Sequence, residues 1–375
     1  MTDSQDTPDM ETLYPALITE ALSTVRYPGQ GKNIVELGMV EDDIRINGNH
    51  VDFTLIFDKP TDPFKASLVK SAEAAIRLKA PQAEVEIRTA TRQAAPVVEK
   101  APVLPGVKNI VAVSSGKGGV GKSTVAANLA VALAAEGYSV GLLDADIYGP
   151  SMPKMLGLED AEIYMHEVDG RNLISPAERY GVKVLSIGFL IDTDSAAVWR
   201  GAMASNALKQ LIEQGDWGEL DYFLIDLPPG TSDIHLTLVQ TLGITGALVV
   251  TTPQKVALAD AVKGISMFRD SKINVPVLGL VDNMAWFTPE THPEEKYYLF
   301  GNPGNVDEVA ARFEVPVLAQ IPLVAGVGEH SDSGRPIVTE PTASAAAFFH
   351  LAHEVIDAVD RRNNTLPPTR KVQLR

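Results

Sequence analysis

The feature that most constrains this chain is a glycine-rich run, GKGGVGKS, at Gly116–Ser123. Its spacing fits the phosphate-binding loop Gly-x4-Gly-Lys-Ser, whose glycines let the backbone turn so that successive N–H groups converge on phosphate oxygens. In that pattern Lys122 reaches the β- and γ-phosphates, and the hydroxyl of Ser123 ligates Mg²⁺. The residues predicted to line the phosphates are Gly116, Lys117, Gly118, Gly119, Val120 and Gly121.

The sequence on either side of this run supports the prediction. Ile110–Val113 is a short apolar run rich in β-branched residues, as expected of a buried parallel strand. The stretch 124–135 is rich in Ala and Leu and is followed by Gly137, a typical residue just beyond a helix end. A strand, a loop and a helix in this order place phosphates at a helix N-terminus. We therefore expect the chain to bind a nucleoside triphosphate.

Strand-like and helix-like patterns alternate along most of the chain. This alternation predicts an α/β fold, a P-loop NTPase with a mostly parallel, doubly wound sheet preceded by a small α/β domain. In such sheets ligands bind at the carboxyl ends of the strands. The apolar runs predicted to form the sheet are Ile110–Val113, Val140–Leu143, Val184–Ile187, Phe223–Ile225, Ala247–Val250 and Val277–Val281.

The chain divides into zones of different composition. Residues 10–90 carry helical spacing at 11–25 and 64–79, a hairpin at 44–57 and an alternating strand at 83–89. We predict a small α/β domain at 10–90, an Ala/Pro-rich linker at 91–107, the P-loop domain at 108–362 and a disordered tail at 363–375.

Composition narrows the possible partners. The net charge is −16, and a surface this acidic repels nucleic acid and anionic lipid. The acidic surface indicates either a host with a high-salt cytoplasm or an ordinary acidic protein. No apolar run approaches the roughly 20 residues that cross a bilayer, and the acidic first residues are unlike a secretory signal. We expect a cytoplasmic protein with no nucleic-acid or membrane partner. The chain has no cysteine, which excludes disulfides and thiolate-ligated metal sites made from this chain alone.

Polar residues follow three of the predicted strands. Asp144 and Asp146 both can face the nucleotide; in a hydrolase one such carboxylate orients or deprotonates the attacking water and the other supports Mg²⁺. Asp226 is placed like a carboxylate that holds Mg²⁺ through water, and the N–H of Gly230 is placed to sense the γ-phosphate. The amide of Asn283 offers both a donor and an acceptor to the edge of adenine.

Together these residues resemble a known family. Lys117, directly after the first glycine, is typical of the deviant Walker A ATPases, a group that includes MinD, ParA and the nitrogenase iron protein. Within that group the chain closely resembles the Mrp family of iron–sulfur cluster carrier ATPases, and residues 10–90 resemble a small iron–sulfur-assembly domain. The matching segments are Ile34–Val40, Asp144–Ser151, Trp199–Met203, Asp226–Asp233, Thr252–Asp260, Val277–Met284 and Asp332–Ile337.

The resemblance implies a homodimer that sandwiches two ATP molecules and acts in iron–sulfur cluster assembly or transfer, with apoproteins or assembly factors as partners. Lys117 would reach the partner subunit's nucleotide, and Thr124 would contact the α-phosphate. Asp146 would position the lytic water, and Asn283 would bind adenine. The predicted catalytic residues are Lys117, Lys122 and Asp146, and the predicted magnesium residues are Ser123, Asp144 and Asp226.

The chain departs from that family at its cysteines. The family carries a Cys-x-x-Cys pair after the Asn-Met dipeptide, and two subunits share one [4Fe–4S] cluster. Here residues 285–301 contain no cysteine, and neither does the turn at 59–63 of the small domain. His292 with Glu290, Glu294 and Glu295 is a hard donor set poorly suited to iron–sulfide, so we expect a solvated acidic loop, or else a hard-ion or Fe²⁺ site.

Several functions therefore compete. In the first, the chain acts in cluster assembly while a partner supplies the thiols. In the second, it is a nucleotide-switch scaffold or regulator that no longer carries a cluster. A MinD/ParA-like positioning ATPase is disfavoured because no membrane helix or basic face is evident. Hydride transfer is disfavoured because the loop does not have the pattern Gly-x-Gly-x-x-Gly.

Overall fold

The computed structural model describes residues 13–41, 43–91, 103–147, 149–168, 170–190, 201–231, 233–289, 291–292 and 294–369, and the chain forms two compact units, Met1–Glu99 and Lys100–Arg375. Several predicted features fall outside the described residues: positions 10–12, the linker from 92 to 102, Trp199 with Arg200, Glu290, and positions 370–375. None of the described helices is both long and apolar enough to span a membrane.

The first unit is a three-stranded sheet packed against two helices. Its elements are α1 (Pro15–Leu22), β1 (Arg45–Asn47), β2 (His50–Phe57), α2 (Lys65–Lys79) and β3 (Glu84–Thr91). β1 and β2 form the predicted hairpin, and β3 runs parallel to β2 because α2 connects them. Alternate residues of β2 point inward, and Phe53, Leu55 and Phe57 are at most 1% exposed.

The second unit is built on a large sheet with helices on both faces. Its strands are β4 (Val107–Ser115), β5 (Val140–Asp144), β6 (Met165–Val168), β7 (Arg171–Ile174), β8 (Ala177–Arg179), β9 (Val182–Ser186), β10 (Leu220–Asp226), β11 (Gly246–Thr251), β12 (Val277–Thr288) and β13 (Val317–Val324). Its helices are α3 (Lys122–Ala135), α4 (Met152–Met155), α5 (Gly201–Gln214), α6 (Asp233–Thr241), α7 (Lys255–Arg269), α8 (Asn305–Phe313), α9 (Val327–Asp332) and α10 (Ala343–Thr365).

The strand order of this sheet is β13-β12-β11-β4-β10-β5-β9-β8, and all neighbours are parallel except the edge pair β8–β9. β6 and β7 form a separate hairpin. The strand that precedes the phosphate-binding loop, β4, therefore lies inside the sheet. The predicted mostly parallel, doubly wound sheet is confirmed.

Two apolar clusters cover the faces of the sheet. In β4, Val111 and Val113 pack in the cluster that includes α3 and α10, whereas Ile110 and Ala112 pack in the cluster that includes α5, α6, α7 and α8. This alternation follows from the period of two in a strand. Both faces are buried, which explains why the sequence of β4 is a continuous apolar run.

The structure differs from the sequence predictions at several elements. β12 continues seven positions past its predicted end at Val281, to Thr288, and the sequence patterns did not indicate β6, β7, β8 or β13. The linker prediction is wrong at 103–107, where Leu104 is buried and β4 begins at Val107.

The predicted disordered tail is also wrong from Asn363 to Thr369. α10 continues to Thr365, because the guanidinium of Arg362 binds the chain that follows it. Its Nη2 donates to the carbonyl of Pro367 at 2.7 Å and to the hydroxyl of Thr369 at 2.6 Å. The polar composition of the tail concealed this contact.

Candidate functional site

The phosphate-binding loop connects β4 to α3 at the carboxyl end of the sheet. Gly121 precedes the first residue of α3, Lys122, and has a φ of +78°, while Gly119 has a φ of +81°. Only glycine adopts these left-handed conformations without strain, so the glycine spacing dictates the path of the loop. α3 ends at Ala135, and Gly137 follows with a φ of +91°, as predicted from the sequence.

The glycines of the loop meet different surroundings. A Cβ atom on Gly116 would lie 2.1 Å from the carbonyl carbon of Asp260, because the loop backbone rests directly on the backbone of α7. Cβ atoms on Gly118 and Gly119 would have no atom within 4 Å. One side of the loop is therefore fixed against a helix, and the other side is an open cradle of backbone groups.

Three side chains close a compact polar group below this cradle. The Nζ of Lys122 donates to Oδ1 of Asp226 at 2.6 Å, and the hydroxyl of Ser123 donates to Oδ2 of Asp226 at 2.6 Å. Lys122 is 6% exposed and Asp226 is 0% exposed. The adjacent strands β4 and β10 place Asp226 opposite Val113, just before the loop begins. The structure thus brings together the predicted phosphate-binding lysine and two of the predicted magnesium residues.

The second carboxylate, Asp144, lies beside Asp226. The two residues are paired in register on β5 and β10, and both are fully buried. Burial, and next the charge of Asp226, raise the pKa of Asp144 to about 7. Burial also raises the pKa of Asp226, while Lys122 and Ser123 oppose that rise by binding its ionised form.

Asp144 accepts four hydrogen bonds from protein groups. Its Oδ1 accepts from the N–H of Asp146 at 3.2 Å. Its Oδ2 accepts from the N–H groups of Ser151 at 3.0 Å and Met152 at 3.2 Å, and from the hydroxyl of Ser186 at 2.9 Å. Ser186, at the end of β9, was not among the predicted site residues; the available signal was a polar residue within the predicted apolar run Val184–Ile187.

Asp146, half-buried, is close enough to Asp226 to raise the pKa of that carboxyl through like charge, after the larger effect of burial. Thr124 lies in the first turn of α3, and its carbonyl accepts from the amide of Asn128 at 2.8 Å. The carbonyl of Lys117 accepts from the hydroxyl of Ser115 at 3.0 Å, which ties the loop to the end of β4. The roles predicted for Asp146, Thr124 and Lys117 stay predictions.

Two groups that were predicted to contact the nucleotide bind the protein itself. The N–H of Gly230 donates to the carbonyl of Ser115 at 2.9 Å. The Nδ2 of Asn283 donates to the carbonyl of Val120 at 2.8 Å. A Cβ atom on Gly121 would lie only 2.3 Å from this Nδ2, so the amide occupies the space that a side chain would need. Both residues support the phosphate-binding loop. Their roles as γ-phosphate sensor and adenine ligand stay predictions.

The segment that follows Asn283 is more regular than predicted. β12 continues to Thr288, and the N–H groups of Phe287 and Tyr297 donate to each other's carbonyls at 2.8 and 2.9 Å. Between them, His292, Glu294 and Glu295 are exposed, and one ligand atom from each lies within 4.8 Å of the others. One imidazole and two carboxylates suit a hard or borderline divalent ion, not the soft sulfide-bridged iron of a cluster.

The donors at the phosphate-binding loop fit a nucleoside triphosphate with Mg²⁺. The open backbone cradle and Lys122 suit phosphate oxygens, and a hydroxyl beside a carboxylate is the oxygen donor pair that Mg²⁺ prefers. A [4Fe–4S] cluster does not fit the chain as a thiolate-bound group, because the sequence has no cysteine.

Comparison with known proteins agrees with this site. The family model of the NUBPL iron-transfer P-loop NTPase matches residues 106–356, and that of an iron–sulfur cluster assembly protein matches residues 16–87. An iron–sulfur cluster carrier protein of Synechocystis is 43% identical over 92% of this chain and 98% of its own length. The iron–sulfur cluster transfer protein NUBPL of Dictyostelium discoideum is 45% identical over 70% of this chain and 80% of its own length.

A solved structure of a nucleotide-binding protein from Archaeoglobus fulgidus, in complex with ADP, is also similar. It is 39% identical, with a TM-score of 0.55, over 64% of this chain and 92% of that protein. The similarity extends over the unit that contains the phosphate-binding loop in both fold and sequence.

Proposed function

The chain belongs to the family of NUBPL iron-transfer P-loop NTPases, and we propose that it binds and hydrolyses ATP in the assembly or transfer of iron–sulfur clusters. The observation that carries the nucleotide part is the buried group of Lys122, Ser123 and Asp226 below an open glycine cradle. The relatives named as cluster carrier and transfer proteins support the second part, in preference to a scaffold or regulator that no longer handles clusters.

Each residue of the site has a proposed task in hydrolysis. Lys122 binds phosphate oxygens, and Ser123 with Asp226 holds Mg²⁺, which when bound neutralises charge on the phosphates. Asp146 accepts a hydrogen bond from the attacking water and orients it toward the γ-phosphate. Two contacts hold the loop in place: Gly116 packs against α7, and Asn283 binds the carbonyl of Val120. The N–H groups of the loop therefore keep facing the phosphates during hydrolysis.

The iron–sulfur cluster is the cargo in this proposal. Because the chain has no thiolate to offer, we propose that an apoprotein, an assembly factor or a small thiol supplies the cysteine-type ligands. The chain then contributes nucleotide-dependent conformational change. A homodimer in which Lys117 reaches the partner subunit's nucleotide is part of this proposal, and so is a cytoplasmic location.

The first experiment measures ATP hydrolysis and nucleotide binding by the purified chain and by Lys117→Ala. Wild-type hydrolysis is expected, and the variant is expected to lose at least about tenfold in kcat while it still binds ADP, since Lys117 acts across the dimer. Full activity in the variant would contradict the cross-dimer mechanism. No hydrolysis by the wild-type chain would contradict the ATPase proposal itself.

The second experiment separates cluster transfer from pure regulation. The chain is incubated anaerobically with iron, sulfide and MgATP, with or without glutathione and an apoprotein that requires a [4Fe–4S] cluster. We expect no stable visible absorbance on the chain alone, but faster cluster loading of the apoprotein with MgATP and the wild-type chain than with Lys122→Ala. Equal loading rates with and without the chain would favour the regulator.

A further inference from the structure

We propose that Asp144 is a positioning residue that holds the adjoining loop, described at residues 145–147 and 149–152, and with it Asp146, beside the nucleotide site, and that it is not a magnesium ligand. The inference deepens the proposed ATPase function and rests on it for its effect on hydrolysis. It revises the role that the sequence predicts for this residue, because the structure gives its carboxylate other partners.

The carboxylate of Asp144 has little remaining capacity for a metal. A carboxylate offers about four lone-pair sites. Asp144 accepts from the N–H groups of Asp146, Ser151 and Met152 and from the hydroxyl of Ser186, at 2.9–3.2 Å. The side chain is 0% exposed. Three of these donors bind Oδ2, so a metal there would have to displace one and leave a buried donor without an acceptor, which is costly. Oδ1 accepts one hydrogen bond and is buried with the rest of the side chain.

These hydrogen bonds fix the loop at both of its ends. The N–H of Asp146 is at its beginning, and the N–H groups of Ser151 and Met152 are at its end, where α4 starts. One carboxylate therefore binds the backbone on both sides of the loop. Because Oδ1 holds the N–H of Asp146, the backbone of the predicted catalytic residue is bound directly.

A neighbouring strand supports the same carboxylate. Ser186 is paired with Asp144 in register on β9, and its hydroxyl both donates to Asp144 and accepts from the N–H of Gly188 at 3.0 Å. Gly188 itself packs on the loop, since a Cβ there would lie 3.1 Å from Cβ of Pro150. The loop is thus held from β5 and from β9.

The two buried carboxylates, Asp144 and Asp226, bind different parts of the site. The oxygens of Asp226 are bound by Lys122 and Ser123, which belong to the phosphate-binding loop. The four donors to Asp144 come from its own loop and from β9, and not from the phosphate-binding loop. Asp226 is placed to serve the metal, and Asp144 is placed to serve the loop.

The test compares Asp144→Asn and Ser186→Ala with Asp146→Asn as the reference. An amide in place of the carboxylate turns one acceptor into a donor, which opposes N–H groups, and the alanine removes only the hydroxyl of Ser186. Hydrogen exchange of the amides of Asp146, Ser151 and Met152 is measured in the full chain without nucleotide. ATP hydrolysis is measured over a series of Mg²⁺ concentrations, and mant-ADP binding is measured by fluorescence.

We expect exchange of these amides to accelerate about tenfold in Asp144→Asn and about threefold in Ser186→Ala, but not in Asp146→Asn. We expect kcat to fall about tenfold in Asp144→Asn, while the half-saturating Mg²⁺ concentration and ADP affinity stay within about threefold of wild type. A Mg²⁺ requirement raised tenfold or more, with activity rescued by excess Mg²⁺, would overturn the proposal.

Unchanged exchange in both Asp144→Asn and Ser186→Ala would overturn it as well. Ser186→Ala keeps the fold testable if Asp144→Asn does not fold. The exchange measurement needs no hydrolysis, so failure of the ATPase proposal, seen as an inactive wild-type chain, is distinguishable from failure of the positioning role.

Discussion

At the scale of single residues, the lysine predicted to bind phosphate is also part of the fold. Lys122 and Asp226 form a buried ion pair at 2.6 Å, and removing one member of such a pair leaves an uncompensated buried charge. We expect Lys122→Met to lower the free energy of unfolding by about 3 kcal/mol, in addition to abolishing nucleotide binding.

Urea denaturation without nucleotide measures this effect. Lys117→Met is the matched control, because that side chain is only partly buried, and its stability should stay within about 0.5 kcal/mol of wild type. Equal stability of the two variants would show that the ion pair contributes nothing to folding.

A second residue gives the chain a pH dependence. Asp282 is 3% exposed; its Oδ2 accepts from Gln320 at 3.3 Å, and its Oδ1 has no hydrogen-bond partner within the described part of the chain. Burial raises the pKa of Asp282 to about 7. A raised pKa means that the folded state binds the proton more tightly than the unfolded state, so this group's contribution to stability is lost as the pH rises from about 4 to about 7.

Asp282→Asn should therefore be more stable than wild type at pH 8 by about 4 kcal/mol and nearly equal to it at pH 4. Thermal unfolding across this range is the measurement, with the exposed Glu308→Gln as control. A constant difference at every pH would assign the effect to packing instead of ionisation.

The sequence predicted which residues lie at the site more completely than it predicted their partners. Spacing alone indicated Lys122, Ser123 and Asp226, since a short motif determines their local geometry. The contact of Asn283 with Val120 joins residues 163 positions apart, so no local pattern encodes it. The hydrogen bond from Ser186 to Asp144 depends on where β9 lies, which is likewise a property of the sheet.

At the scale of elements, α7 and the phosphate-binding loop are joined backbone to backbone at Gly116. We expect Gly116→Ala to lower the free energy of unfolding by at least about 2 kcal/mol, because its Cβ would overlap the carbonyl of Asp260. Gly118→Ala, where the new methyl group meets open space, should cost less than about 1 kcal/mol.

Chemical denaturation without nucleotide compares the two variants, and circular dichroism verifies that both retain the native helix content. A stability loss of the same size in both would mean that loop flexibility, and not contact with α7, explains the requirement for glycine at position 116.

The elements that the sequence predicted each carry a strong local signal: a continuous apolar run, a stretch of strong helix formers or an amphipathic period. β4, α3 and α2 are of this kind. β13 was missed because its run VLAQIPLV includes a proline and a glutamine, which weaken a strand pattern. The end of α10 was missed because Arg362 stabilises it through Pro367 and Thr369, beyond the helix itself.

At the scale of the whole molecule, the two units have separate apolar cores, and every residue of the nucleotide site lies in the second. We expect residues 100–375 alone to hydrolyse ATP with kcat and KM within about twofold of the full chain. We expect residues 1–99 alone to unfold cooperatively on heating, because their core includes Phe53, Phe57 and Ile76, each at most 1% exposed.

Steady-state hydrolysis and calorimetry test both statements, with Lys122→Met in the shorter chain as the inactive control. Loss of hydrolysis in a folded 100–375 chain would show that the first unit takes part in catalysis.

The order of the motifs was sufficient to predict the class of fold, because the phosphate-binding loop restricts which strands can lie around it. The number of strands could be known only from the structure.

The ion pair between Lys122 and Asp226 also has a kinetic consequence. In the proposed function, phosphate and carboxylate share one ammonium group, so a bound nucleotide weakens the 2.6 Å contact between Lys122 and Asp226, and this contact strengthens again when the product leaves. We expect this competition to weaken the retention of ADP. In the proposed turnover cycle, this internal anion would favour release of the spent nucleotide.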